Sequence, residues 1–151
     1  MTQRGTRQPQ AVLFACGLNS VRSPMAAALL RQMLGSSLYV GSAGVRKGEL
    51  DPFAVAAMDE IGIDMSKHKT KSFDALEDTS FDLIISLSPE AQHKAVDMTR
   101  SMACDVEFWN TFDPSIVEGS REQRMDAYRE VRDGLLQRIR ERFPISGAPK
   151  I

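Results

Sequence analysis

The chain has 151 residues, of which 42% are hydrophobic and 26% charged, with a formal net charge of −1. This composition predicts one compact domain with an ordinary core and argues against global disorder. The balanced charge argues against bulk nucleic-acid binding, and no apolar run is long enough to span a bilayer. Only two cysteines, Cys16 and Cys104, are present, too few for a disulfide scaffold; without an export signal we expect the cytosol, where thiols stay reduced.

Short apolar segments alternate with helix-like segments along the chain. Residues 1–10 are polar and basic, and we expect them to form a disordered tail before a single domain over 11–151. Hydrophobic periodicity predicts strands at 11–16, 37–44, 81–88 and 105–109, and helices at 23–35, 51–62, 89–100 and 118–143. The polar stretch at 68–80 is expected to be a loop with a short helix.

Residues that favour helix ends support these boundaries. Ser23 is predicted to cap the first helix, with Pro24 at its first position and Gly35 at its end. Asp51 followed by proline predicts the start of the second helix. The last helix carries its apolar residues three or four positions apart, which predicts one buried face: Met125, Tyr128, Val131, Leu135 and Ile139.

Alternating strands and helices predict an α/β fold, with a parallel sheet covered by helices on both faces. In such sheets the ligand lies beyond the carboxyl ends of the strands. Cys16 is the last residue of the first predicted strand, so the fold would place it at that edge.

The loop after the first strand has the chemistry of an oxyanion site. It leads into a helix N-terminus, where backbone N–H groups lack partners and the dipole is positive. Arg22 adds a planar fork of donors, and the same positive field favours the thiolate of Cys16, a nucleophile. The alternative is a buried structural cysteine and an arginine paired with a carboxylate. The combination of strand, cysteine, arginine and helix start favours catalysis.

Asp113 is the candidate general acid. It lies in a proline-containing loop after the fourth strand, and therefore at the same edge of the sheet as Cys16. The alternative role is a turn aspartate, for which Asp-Pro is common. We assign that structural role to Asp51, because it opens a helix.

The segment CGLNSVRSP (16–24) resembles the C-x5-R-S phosphate loop of the low-molecular-weight protein tyrosine phosphatases and the related thioredoxin-linked arsenate reductases. Residues 41–44 resemble the family's Ser-Ala-Gly turn, and 51–73 and 109–115 resemble later segments, so the resemblance runs from 11 to about 143. It implies a three-layer fold with a four-stranded parallel sheet in the order 2-1-3-4, helices on both faces, and the phosphate loop after strand 1.

The resemblance also implies roles. Cys16 would attack phosphorus and form a cysteinyl-phosphate, Arg22 would bind two non-bridging oxygens, and Asp113 would protonate the leaving oxygen and then activate water. Backbone amides from Gly17 to Arg22 would donate to the phosphate, which would contact Gly17, Leu18, Asn19, Ser20, Val21, Arg22 and Ser23. Three residues would support the loop: Asn19 through its side chain, Ser23 by a hydrogen bond to the sulfur, and Ser42 from the neighbouring turn.

The chain departs from the family pattern at several positions. Val21 replaces a second loop cysteine, and Leu18, in place of a glycine, is expected at the cleft mouth. Ser115, Ile116 and Val117 replace the aromatic wall of tyrosine phosphatases; Trp109 and Phe112 are candidates to replace it, although Trp109 is more typical of a core. The reductases need two further cysteines, and after the third strand this chain has only Cys104.

The sequence therefore predicts a phosphomonoester phosphatase, with protein phosphotyrosine as one candidate substrate. The alternatives are an arsenate reductase using Cys16 with an external thiol, and a non-catalytic phosphate-binding module. We expect no cofactor and no metal, since His68 and His93 are too few and too far apart. His68 lies among lysines, which we interpret as a solvated face. The expected partner is a phosphorylated small molecule or phosphoprotein, with no nucleic acid and no membrane.

Overall fold

A computed structural model of the chain describes residues 8–76 and 80–144. Within them, four strands and four α-helices alternate: β1 (Ala11–Cys16), α1 (Arg22–Leu34), β2 (Tyr39–Gly44), α2 (Pro52–Asp59), β3 (Leu83–Ser86), α3 (Pro89–Met98), β4 (Asp105–Phe108) and α4 (Arg121–Arg142). Short 3-10 helices at Phe73–Ala75 and Pro114–Ile116 lie in the connections. Most of the tail predicted at 1–10 lies outside the described residues, so the tail and the domain limits stay predictions.

The sheet is parallel throughout and has the order β2-β1-β3-β4, which confirms the predicted fold. β1 is central, and Phe14 pairs with Ser42 on one side and with Ile85 on the other. Alternate residues of β1 enter two separate cores, as the two-residue period of a strand requires: Val12, Phe14 and Cys16 on one face, Leu13 and Ala15 on the other.

The helices cover both faces of this sheet unequally. α1, α2 and α4 pack on the face that receives Phe14 and Cys16, and α3 covers the opposite face through Ala91 and Ala95. The five apolar positions predicted to face the core from α4 are all buried. No helix in the described part of the chain has both the length and the apolar character needed to cross a membrane.

One predicted boundary near the loop is wrong. α1 begins at Arg22 with Val21 as its N-cap, because the amide of Met25 already bonds the Val21 carbonyl at 3.1 Å. Ser23 therefore lies inside the helix and its hydroxyl is available for other contacts. The strand predicted at 37–44 is confirmed as β2, which begins at Tyr39, ends at Gly44 as predicted and pairs with β1 along its whole length.

The predicted starts of α2 and α3 are confirmed, whereas α4 begins at Arg121, three residues after its predicted start at 118. Asp51 caps α2 and accepts the amide of Phe53 at 2.8 Å, although the helix ends at Asp59 rather than at Gly62. α4 begins with a capping box formed by Ser120 and Gln123.

Gly44, at the end of β2, lets the loop after β1 approach the sheet closely. A Cβ at this position would lie 2.7 Å from the amide nitrogen of Asn19 and 2.5 Å from the carbonyl oxygen of Arg46. Both of these are backbone atoms, which cannot move aside as a flexible side chain would. Gly44 is therefore required by space, and not by an unusual backbone conformation.

We predict that Gly44→Ala destabilises the protein by about 2 kcal/mol or more, because the loop must shift to relieve the overlap. Gly134→Ala is the matched control: it lies within α4, its Cβ would meet nothing within 4 Å, and alanine should stabilise the helix by about 0.5–1 kcal/mol. Urea unfolding of the two variants measures both effects. Equal stabilities for Gly44→Ala and the wild type would contradict the packing described here.

Candidate active site

Cys16 lies at the bottom of an open cleft of about 680 Å³ at the carboxyl edge of the sheet. Its residue is only 2% exposed, although it contributes to the cleft lining. The loop after β1 forms the floor, with Gly17, Leu18, Ser20, Val21 and Arg22 also lining the cleft. The described residues thus place the predicted nucleophile where a bound ligand can reach it.

The carbonyl groups of the loop point away from the cleft. Four of them accept amide hydrogen bonds from the segment after β2, at 2.9–3.3 Å: Cys16 from Val45, Gly17 from Arg46, Leu18 from Gly48, and Ser20 from Asp51. The peptide bonds of the described residues are trans, so the N–H of each of these units points opposite to its carbonyl, toward the cleft. Converging N–H groups of this kind form an anion site.

Asn19 holds the loop in this shape. It has a left-handed backbone with φ of 58° and is fully buried. Its side-chain amide donates to Ser23 Oγ at 2.8 Å and to Ser42 Oγ at 3.0 Å. Its Oδ1 accepts the Lys71 amide at 2.9 Å and His68 Nε2 at 3.0 Å. Both donors and both acceptor positions of the amide are therefore occupied.

Ser23 connects this network to the sulfur. Its hydroxyl oxygen accepts from Asn19, and the same oxygen lies 3.0 Å from Cys16 Sγ. The hydroxyl proton can then be donated to the sulfur, and a donated hydrogen bond stabilises negative charge on that atom when it acts as nucleophile or leaving group. Ser23 therefore does not cap α1 as predicted, and its hydroxyl contacts the sulfur instead.

Arg22 and Asp113 lie next to each other in the lining of the cleft. Arg22 Nη1 donates to the Thr111 carbonyl at 3.0 Å, and Nη2 lies 3.9 Å from Asp113 Oδ2. Asp113 Oδ1 accepts the amide and the hydroxyl of Ser115 at 3.0 and 2.7 Å, which caps the 3-10 helix there. Asp113 thus has the structural role considered as its alternative and also lines the cleft. The fold brings Cys16, Arg22 and Asp113 into one cavity.

The aromatic residue in the cleft wall is Phe53, which sequence analysis did not single out. Trp109 is buried against Phe14 in the core, and Phe112 is exposed on a separate groove, so neither lines this cleft. Phe53 follows the helix-start signal at Asp51. That signal predicts where α2 begins, but it does not predict that the Phe53 ring lies in the cleft wall.

Asp51 and Tyr128 fix the position of Phe53. The Tyr128 hydroxyl donates to Asp51 Oδ2 at 2.5 Å, and its ring packs edge-on against Phe53 with centroids 5.4 Å apart. Burial and then the Asp51 carboxylate raise the pKa of Tyr128, so the phenol stays protonated. Asp51 therefore lines the cleft in addition to capping α2.

The mouth of the cleft carries an apolar residue and an ion pair. Leu18 is 45% exposed and lines the cleft, in the place expected for it. Arg46 pairs with Glu90 from the first turn of α3, and both side chains are exposed. Pairs of this exposure contribute little to stability, so their position at the rim matters more than their energy.

The interpretation of His68 as part of a solvated face is wrong. Lys67 and Lys69 are exposed, but His68 is half-buried and bonds Asn19 Oδ1. Since that atom is a carbonyl oxygen, Nε2 must carry the proton. Burial, with smaller effects of Lys71 and Arg31, lowers the pKa of His68 to about 4, so the imidazole stays neutral. The neighbouring lysines indicate an exposed segment, so the contact between His68 and Asn19 could not be predicted from the sequence.

A histidine whose pKa is lowered on folding contributes stability above its usual value of 6.5, and that contribution is lost as the pH falls toward about 4. We predict that His68→Gln, which keeps a donor for Asn19, loses less stability than the wild type between pH 7 and pH 5. The exposed His93 provides the control His93→Gln, which should follow the wild type. Free energies of unfolding in urea at the two pH values test this. Parallel pH dependences for all three proteins would rule out a buried neutral His68.

Comparison with known proteins confirms the family resemblance seen in the sequence. The family model for low molecular weight phosphotyrosine protein phosphatase matches residues 11–143. A protein of Bacillus subtilis named arsenate reductase is 35% identical over 130 residues, which cover 86% of this chain and 92% of that protein.

Solved structures share the fold. An arsenate reductase in its phosphate-binding state is 26% identical with a TM-score of 0.67, covering 87% of this chain and 95% of that one. The arginine phosphatase YwlE, with a phosphorylated active-site serine, is 25% identical with a TM-score of 0.70, covering 87% of this chain and 91% of that one. Because the family model spans the sheet, all four helices and the loop around Cys16, the chain belongs to the low molecular weight phosphotyrosine protein phosphatase family of enzymes.

Proposed function

We propose that the protein is a cytosolic phosphomonoester phosphatase that uses Cys16 as its nucleophile. The observation that carries the proposal is the contact between Cys16 Sγ and the Ser23 hydroxyl, at 3.0 Å, on the floor of a cleft lined by loop amides and Arg22. The site therefore combines a sulfur nucleophile that has its own hydrogen-bond donor with further donors arranged around a single anion, which is what attack on a phosphate dianion requires.

The first step is transfer of the phosphoryl group to the enzyme. Cys16 Sγ forms a bond to phosphorus while the bond from phosphorus to the leaving oxygen breaks. Asp113, in its protonated form, gives its proton to that oxygen. Arg22 and the loop N–H groups hold the phosphoryl oxygens, on which charge is spread in the transition state.

The second step removes the phosphoryl group. Water attacks phosphorus and gives a proton to Asp113, while the sulfur leaves as a thiolate. The Ser23 hydroxyl stabilises the departing sulfur, and Asp113 regains the proton that it lost. The steps return Cys16, Ser23 and Asp113 to their initial states and release inorganic phosphate.

Phe53 supports an aryl phosphate as the substrate. The ring stands in the cleft wall, supported by Tyr128, and supplies the aromatic surface that Ser115, Ile116 and Val117 cannot. A panel of phosphotyrosine peptides, small alkyl phosphates and phosphoarginine peptides tests the preference. The highest kcat/KM for the aryl phosphates would support this preference. Equal kcat/KM values for aryl and alkyl phosphates would exclude a role of Phe53 in substrate selection.

Arsenate reduction is the second candidate, because the B. subtilis relative is named arsenate reductase. Cys16 would bond arsenic with loss of water; a second thiol would then attack the sulfur, forming a disulfide and passing two electrons to arsenic. Cys104 does not provide that thiol. It precedes β4 at the amino edge of the sheet, about 15 Å from Cys16 along the strands, and its side chain enters the other core. A disulfide needs Cα atoms within about 7 Å, so an external thiol would be required.

We predict that Cys16→Ser lowers kcat for aryl phosphate hydrolysis by about four orders of magnitude or more, because the nucleophile is lost. Cys104→Ser is the control and should keep near wild-type kcat. Arsenate consumption with glutathione or thioredoxin, measured on the same proteins, separates the second candidate. Hydrolysis that survives in Cys16→Ser excludes the mechanism, and tight phosphate binding without turnover would favour a binding module.

We predict that Asp113→Asn slows hydrolysis about 100-fold for a phenyl phosphate, whose leaving oxygen needs a proton. The effect should be far smaller for a dinitrophenyl phosphate, which leaves without one. A plot of kcat/KM against leaving-group acidity for wild type and variant measures the difference. Equal slopes for the two proteins would assign Asp113 to capping alone.

A further inference from the structure

The cleft has a third arginine in its wall, on the first turn of α4. Arg124 lines the cleft beside Phe53, and its guanidinium carbon lies 4.4 Å from the centre of that ring. The side chain is half-buried. This stacking holds a planar cation against the wall and keeps it from extending freely into solvent.

The three arginines of the cleft differ in what they bind. Arg22 donates to the Thr111 carbonyl and faces Asp113, and Arg46 is paired with Glu90. The Arg124 backbone amide donates to the Ser120 carbonyl at 3.0 Å, but its guanidinium forms no hydrogen bond or ion pair with any residue in 8–76 or 80–144 and only stacks on Phe53. Its fork of N–H donors is therefore available to a ligand.

Two of the carboxylates in the cleft lining, Asp51 and Asp113, already have donors of their own. Asp51 accepts the Phe53 amide with one oxygen and the Tyr128 hydroxyl with the other. Asp113 accepts two hydrogen bonds from Ser115 with Oδ1. Asp51 and Asp113 are thus used for capping and positioning and form no ion pair with Arg124, so its guanidinium is left as a cation for the substrate.

The position of Arg124 decides which part of a substrate it can meet. The phosphate belongs to the loop floor and Arg22, whereas Arg124 stands in the wall with Phe53, where the group that carries the phosphate would lie. A carboxylate on that group would match the planar fork of a guanidinium through two parallel hydrogen bonds. We propose that Arg124 is a specificity-determining residue that selects substrates carrying a carboxylate beside the phosphorylated group. This inference rests on the proposed phosphatase function.

Arg121 provides the matched control. It stacks on the same Phe53 ring at 5.3 Å, but it is exposed and does not line the cleft. A merely structural role, in which the arginines support the ring, would be shared by both residues. A role in substrate selection belongs to Arg124 alone.

The test uses two aryl phosphates of equal shape, one with a carboxylate and one with a neutral carboxamide on the ring. Arg124→Gln should lower kcat/KM about tenfold for the carboxylate and less than about twofold for the carboxamide, since the lost contact is a charged hydrogen bond. Arg121→Gln should change neither. The preference of the wild type for the carboxylate should weaken at high salt. An equal loss on both substrates, or no loss on either, overturns the inference.

A binding measurement keeps the inference independent of turnover. Non-hydrolysable aryl phosphonates with the same two substituents are titrated into Cys16→Ser protein by calorimetry. The carboxylate should bind about tenfold more tightly than the carboxamide, and adding Arg124→Gln should remove the difference. If the wild type hydrolyses neither substrate, the proposed function fails, while this comparison still decides the role of Arg124: equal binding of the two phosphonates contradicts it.

Discussion

The active site depends on one buried amide, that of Asn19. Its left-handed backbone turns the loop after β1, and its side chain ties the loop to α1, to β2 and to the segment that carries His68. Four hydrogen bonds satisfy it completely, so any other arrangement would leave a buried polar group without a partner, at a cost of about 1–3 kcal/mol. The loop is therefore fixed before a ligand arrives, and binding need not supply the energy to organise it.

The sheet explains how distant residues reach this loop. The carboxyl ends of β1 and β4 lie at one edge, which brings Asp113 toward Arg22 although they are far apart in sequence. The same topology sends Cys104 to the amino edge, because it precedes β4 instead of following it. One arrangement of strands thus brings together the acid and the nucleophile that we propose, Asp113 and Cys16, and separates the two thiols.

Sequence patterns were sufficient for the parts that local chemistry determines. The buried strand ending in Cys16, the polar loop and the helix start after it follow from period and composition, and the strand order followed from the family resemblance. The predicted start of α1 is two residues late, because Ser23 has the side chain of a good cap whereas the observed cap is Val21. Its hydroxyl is instead held by Asn19 and Cys16, a contact that no local rule contains.

Contacts between distant segments account for the rest. His68 was hidden among exposed lysines, and its bond to Asn19 joins residues 49 positions apart. Phe53 and Arg124 meet only because α2 and α4 pack side by side on one face of the sheet. Periodicity within a helix predicts which side faces the core. It does not predict which of the half-buried residues beside that face will line the cleft.

The central claim is that the sulfur of Cys16, held by the Ser23 hydroxyl inside a ring of amides, is the atom that attacks phosphorus. The most direct test is mass spectrometry of the peptide containing Cys16, taken from protein that is quenched in acid during turnover of an aryl phosphate. We expect one phosphoryl group on Cys16, which disappears as inorganic phosphate forms. Steady turnover with Cys16 unmodified, or with the phosphoryl group on another residue, would contradict it.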